Sequence, residues 1–224
     1  MDSVGSISNS DVVVVSNYDD LNEIRLIDYP QGTYIKFKET ASNTTIFATN
    51  NSAIGGAGVT AATLSLSKNA GELNFQIRQS TIANSTVTAT DSTQTKIKII
   101  SSESSESLFT LGNKNDSISF AGNSRLNNSR IDMNSGNDTI QFSGRSVISG
   151  ENNITLGAGR DTVSIDKNVK LANNASSLII KDFDKDDTLR IGNRNYNLND
   201  IANGGVRYAE LSRDGSVHIG MSQD

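Results

Sequence analysis

The chain has 224 residues, a formal net charge of −5, 35% hydrophobic and 5% aromatic residues, and neither Trp nor Cys. This composition argues against a thick two-layer core and excludes disulfides, thiolate metal sites and Cys nucleophiles. With no Lys/Arg cluster interleaved with aromatics, and no apolar run near ~20 residues, neither a nucleic-acid partner nor membrane insertion is expected.

The N-terminus, Met1-Asp2-Ser3-Val4, has no basic region followed by an apolar stretch, so no cleavable signal peptide is expected. Residues 1–58 carry strand-like runs at Asp11–Val15, Glu23–Asp28, Thr33–Lys38 and Thr44–Ala48, but no clear repeat. They are read as an N-terminal β cap and docking segment, because a repeat array exposes apolar core and unpaired backbone at its first unit. Ile54-Gly55-Gly56-Ala57-Gly58 marks the joint. It is not a dinucleotide loop, since no helix follows it and no βαβ pattern surrounds it.

Residues 59–191 repeat. Leu111 to Phe120, Met133 to Phe142, Leu156 to Ile165 and Phe183 to Ile191 share one pattern: apolar, polar turn, Asp, Ser/Thr, apolar, polar, apolar. The aspartates, Asp116, Asp138, Asp161 and Asp187, are spaced by 22, 23 and 26 residues. A degenerate copy, Leu66 to Phe75, has Gly71 in place of the Asp. Each period holds two runs of period-2 alternation, which means two half-buried strands. One series runs through Leu64, Val87, Phe109, Ile131, Ile154 and Leu178, the other through Leu73, Ile97, Ile118, Ile140, Val163 and Leu189.

Two strands cannot bury their own apolar face, whereas stacked copies can. The fold class predicted is therefore all-β: a right-handed parallel β-solenoid of about six coils of ~22 residues, forming a rod about 30 Å long. Ile118, Ile140, Val163 and Leu189 should form one inward stack. A β-sandwich of hairpins shares the alternation, but it has no reason to repeat one turn. Residues 192–224 should close the array. Asn195–Ala202 fits a helical turn, and Arg213-Asp214-Gly215 fits a hairpin turn between Val206–Leu211 and Ser216–Met221.

The turns Met133-Asn134-Ser135-Gly136-Asn137-Asp138-Thr139-Ile140 and Leu156-Gly157-Ala158-Gly159-Arg160-Asp161-Thr162-Val163 resemble the repeats-in-toxin (RTX) nonapeptide. Ile180 to Leu189 resembles the segment that terminates such arrays, and the resemblance spans about residues 108–191. It implies a parallel β-roll with Ca²⁺ between stacked turns, as in the usually secreted members of that family; similar long-period arrays occur in cyanobacterial surface proteins and phage virion proteins. The departures are a longer period, Lys114 at a glycine position, and Asn134 at another.

Asp116, Asp138, Asp161 and Asp187 are the candidate metal ligands, with Asp138 and Asp161 the best pair because their turns keep Gly136 and Gly159. Carboxylates stacked a coil apart repel and invite a cation, and Ca²⁺ is the natural one. The alternative, which we favour, is that each Asp hydrogen-bonds the N–H groups of its own turn. No cofactor is required on that reading. Catalysis has little to draw on. The sole histidine, His218, falls on the terminal hairpin, and Asp182, Asp184, Asp186 and Asp187 read as a solvated capping turn.

These features point to a non-enzymatic structural protein on a virion or extracellular surface. Its expected partners are copies of itself or proteins of a capsid or surface lattice. A secreted Ca²⁺-binding adhesin or surface-layer module is the alternative. A polysaccharide-processing solenoid enzyme is a lesser one, since the chain is short and lacks aromatic sugar platforms.

Overall fold

A computed structural model describes residues 12–15, 23–25, 34–37, 41–42, 45–48, 52–66, 72–89 and 94–220. Their strands form three long sheets, the faces of a parallel β-solenoid. The first face stacks Val12–Val15, Tyr34–Phe37, Ser52–Gly56, Glu72–Arg78, Gln94–Ile100, Ser117–Ala121, Thr139–Phe142, Thr162–Ile165 and Thr188–Ile191. The second stacks Glu23–Arg25, Thr45–Ala48, Thr63–Leu66, Thr86–Ala89, Leu108–Thr110, Arg130–Asp132, Glu151–Thr155 and Ser177–Ile180. The third is made of short strands, Ala41–Ser42, Val59–Thr60, Thr81–Ala83, Glu103–Ser105, Arg125–Asn127, Val147–Ser149 and Lys170–Leu171.

Each coil thus has three strands rather than the two expected. The third strand turns only one side chain inward, as at Ile82, Ser104, Leu126 and Ile148. One inward residue cannot produce a readable alternation, and at Ser104 it is not even apolar.

The predicted stack is present. Ile97, Ile118, Ile140, Val163 and Leu189 follow one another in register, all buried. Phe120 and Phe142 lie one above the other with centroids 5.0 Å apart and planes 9° apart, and Phe109 meets Phe120 edge-on at 6.3 Å. Parallel in-register coils force like onto like, which favours offset aromatic stacking along the rod. On the second face Leu64, Val87, Phe109, Ile131 and Ile154 stack as expected. The last step differs: Ile154 lies beside Ile180, and Leu178 beside Asn152. The longer final coil moves the strand by two residues, which keeps the same face inward.

The described part of residues 1–58 joins the same sheets. Val12–Val15 pairs in parallel with Tyr34–Phe37, which pairs with Ser52–Gly56, which pairs with Glu72–Arg78. No face breaks near residue 58. The coil from Tyr34 to Ala53 is 19 residues long, so a search at 22 misses it. Gly55 sits there because a Cβ would lie 2.5 Å from the Arg78 carbonyl oxygen of the next coil.

At the other end the direction reverses. Arg194–Tyr196 folds back antiparallel on Thr188–Ile191 and closes the first face. The short helix Leu198–Ala202 follows, with Asn197 and Asp200 forming a reciprocal capping box. Ala209–Leu211 and Val217–Ile219 then make the expected hairpin, and Val217–Ile219 lies antiparallel on Ser177–Ile180, closing the second face.

Candidate functional site

The corner between the second and first faces holds the four aspartates. Asp116, Asp138, Asp161 and Asp187 are each at most 3% exposed. Their turns stack because the glycines leave no room for anything else: a Cβ on Gly159 would lie 1.6 Å from the Gly136 carbonyl oxygen. The carboxylates do stack, and Oδ1 of each reaches across the coil boundary; the expected bond to an N–H of its own turn is made as well by Asp116 and Asp187. Oδ1 of Asp116 accepts the N–H of Thr95 at 2.7 Å, Oδ1 of Asp138 that of Asp116 at 2.7 Å, Oδ1 of Asp161 that of Asp138 at 2.7 Å, and Oδ1 of Asp187 that of Asp161 at 2.9 Å. Each aspartate therefore ties its coil to the one before it.

The second oxygens divide the ladder. Oδ2 of Asp116 accepts from Gly112 N–H at 2.9 Å, and Oδ2 of Asp187 accepts from Asp184 N–H at 2.8 Å. Oδ2 of Asp138 and of Asp161 are buried without a hydrogen-bond partner. In the third copy the Gly157 N–H that could serve Asp161 donates instead to Asp182 Oδ2, while Leu156 N–H donates to Asp182 Oδ1, both at 2.8 Å. Burial, the largest cause, pushes Asp138 up to about 7 and Asp161 up to about 6 from an ordinary 3.8. The neighbouring N–H groups oppose that rise, and the adjacent carboxylates add to it. Asp187 is raised as well, again chiefly by burial.

Two more buried ladders occupy the other corners. Between the first and third faces, the N–H of Ser80 donates to Ser102 Oγ at 3.1 Å, and that of Ser102 donates to Ser124 Oγ at 3.3 Å. Between the third and second, the N–H groups of Ala62, Ser85 and Ser107 donate to Ser85, Ser107 and Ser129 Oγ at 3.1–3.2 Å. Asn152 takes the next rung through its side-chain oxygen. The residue before several of these serines is left-handed, as at Gln79, Asn84, Ser101, Glu106 and Asn128, with φ between 45° and 50°. The serine ladders escaped the sequence reading. Their signal is visible in retrospect as serines five apart recurring at 22: Ser80 and Ser85, Ser102 and Ser107, Ser124 and Ser129.

The acidic terminal turn is spent locally. Asp182 caps two N–H groups of the coil below, Asp184 accepts the Asp186 N–H, and Asp186 pairs with exposed Lys185. The hairpin brings Asp214, Ser216 and His218 together, yet in the wrong order for a nucleophilic triad. Ser216 Oγ donates to Asp214 Oδ1 at 2.6 Å, so its proton is not available to His218 Nε2 at 3.0 Å.

For Ca²⁺, the Oδ2 atoms of Asp138 and Asp161 are two oxygens toward the six to eight the ion takes. Among the described residues no group of three or more His, Cys, Asp or Glu side chains is arranged to hold a metal, so the remaining ligands would have to be turn carbonyls. Among the same residues no helix is long and apolar enough to cross a membrane. The chain matches no protein-family model, no curated protein and no solved structure.

Proposed function

We propose that this chain is a non-enzymatic structural subunit that builds or decorates a multimeric surface assembly, with a virion or an extracellular lattice as its setting. The supporting observation is the trio of buried side-chain-to-backbone ladders. Every corner is pinned from coil to coil, so the rod is held by directional bonds as well as by a narrow apolar core. Such a rod is a stiff spacer with a regular polar surface. Sedimentation of the purified chain across micromolar to near-millimolar concentration tests the reading. A defined multimer, or saturable incorporation into an isolated particle, is expected. A monomer at every concentration that no particle or cell surface carries refutes it.

A second reading draws on the orphaned Oδ2 atoms of Asp138 and Asp161 in the two turns that most resemble the RTX pattern. There the chain is a secreted Ca²⁺-binding module, and the ion replaces the missing partners of those oxygens. Calorimetric titration at pH 7.5 separates the two. Heat of binding that disappears in Asp161→Asn, with a raised melting temperature in millimolar Ca²⁺, favours this reading. No heat and no thermal shift favour the first.

A further inference from the structure

Two of the three faces are closed by reversed strands, but among the described residues the third ends openly at Lys170–Leu171. In the coil below, the carbonyls of Ser146 and Ile148 accept the N–H groups of Lys170 and Ala172 at 3.0 and 2.8 Å. The equivalent carbonyls one coil on, those of Val169 and Leu171, have no such donor among the described residues. Beside this edge lies a cleft of about 610 Å³, walled by Ile165, Val169, Leu171 and Ile191 below and by Tyr208 and Ile219 of the cap. The first four are only half-buried, and Tyr208 is 44% exposed, one of the two large apolar residues left most open among the described residues.

We propose that this open end is a docking site for an extended, acidic segment of a partner protein, added as one more strand beyond Lys170–Leu171. Unpaired backbone beside an apolar cleft is what strand addition uses: main-chain bonds give the affinity and the cleft selects the side chains. The third face sets the pattern. Each of its strands turns a single side chain inward, so the incoming strand needs one apolar residue between polar ones to follow Ile148 and Leu171 in the stack. Charge supplies the rest. Lys167 and Lys170 stand exposed on the rim, neither in an ion pair among the described residues, against the single carboxylate of Asp166. The excess is positive in a chain whose net charge is −5.

The test uses the full chain, isotopically labelled, and a synthetic nine-residue peptide of alternating Thr and Val with Asp and Glu at both ends. Two control peptides accompany it, one with Lys in place of each acidic residue and one N-methylated on alternate amides. Amide shifts confined to Val169–Ala172, Ile191–Gly192 and Tyr208, with saturation below about 1 mM, are expected. The basic peptide should bind at least tenfold more weakly, and K167E/K170E should reverse that order. Both lysines are exposed, so the double variant keeps the fold. Absence of shifts at this edge overturns the proposal, as does equal binding of the acidic and basic peptides. Unimpaired binding of the methylated peptide overturns strand addition. If the protein instead self-associates with Lys170 and Leu171 in the contact, the occupant is a second copy and the proposal fails.

Discussion

The aspartate corner and the serine corners solve one problem with different side chains. At each, a turn leaves a backbone N–H facing the next coil with no strand partner, and a buried side-chain oxygen from that coil accepts it. A serine that accepts such a bond returns its own hydrogen to a nearby carbonyl, as Ser107 Oγ does to the Ser105 carbonyl at 2.8 Å, and so is satisfied both as donor and as acceptor; Ser80 Oγ, which accepts none, is left without a partner. Aspartate has no hydrogen to return when ionised, and its second oxygen must find a donor of its own. At Asp116 and Asp187 one is present. At Asp138 and Asp161 none is, and those two carboxylates carry the cost of burial. The serine ladders are indifferent to pH, whereas the aspartate ladder is coupled to it.

The largest test of that contrast is pH. Asp138 and Asp161 have folded-state values of about 7 and about 6, above the ordinary 3.8, so folding favours their neutral forms. Their stabilisation is fully present below about pH 4 and is lost as pH rises through about 6 and 7. For Asp138 alone the shift sets an upper bound on the order of 4 kcal/mol at ~1.36 kcal/mol per pH unit, which solvent screening reduces. Denaturant titrations at pH 4.5 and 8 should show the protein more stable at the lower value. Asp138→Asn keeps an acceptor for the Asp116 N–H and removes the charge. It should lie closer to the parent at pH 4.5 than at pH 8, where it should exceed it, and should flatten the profile. A parent profile that instead rises toward pH 8 breaks the comparison.

Next in size is Asp138→Ala, read at pH 4.5 where most of the charge penalty has yet to appear. It leaves the Asp116 N–H buried without an acceptor and should cost about 1–3 kcal/mol. The cost should shrink by pH 8, because the substitution also relieves an ionised buried group. Equal losses at both values would mean that folding leaves the Asp138 pKa unshifted.

The smallest effect is expected at the serine corner. Ser107→Ala removes the acceptor for Ser85 N–H and should cost about 1 kcal/mol, the same at both pH values. A pH-dependent loss there would dissolve the distinction between the corners.

Much of this was legible before any coordinates. The spacing of Asp116, Asp138 and Asp161, with an apolar residue always two positions on, determined that coils stack in parallel and that Ile118, Ile140 and Val163 share one line. Such a pattern reads through because stacking is local in the repeat: each residue meets its own equivalent. The terminal hairpin was legible for a similar reason, since Asp214-Gly215 encodes a tight reversal within a few residues.

Other features were decided only in three dimensions. The third face has one inward residue per coil, too few to make a period, so its strands exist because two neighbouring coils hold them in place. The continuation of the sheets through residue 58 was hidden by a short coil whose strands pair correctly at the wrong spacing. The direction of each carboxylate was also beyond the sequence. An aspartate beside a glycine-rich turn can bond its own turn, a metal or the next coil, and the choice depends on which N–H group stacking leaves unpaired. Sequence therefore determined the repeat, because every coil writes it again. Tertiary structure decided what the repeated polar groups do, because their partners lie about 22 residues away and are set by the register between coils.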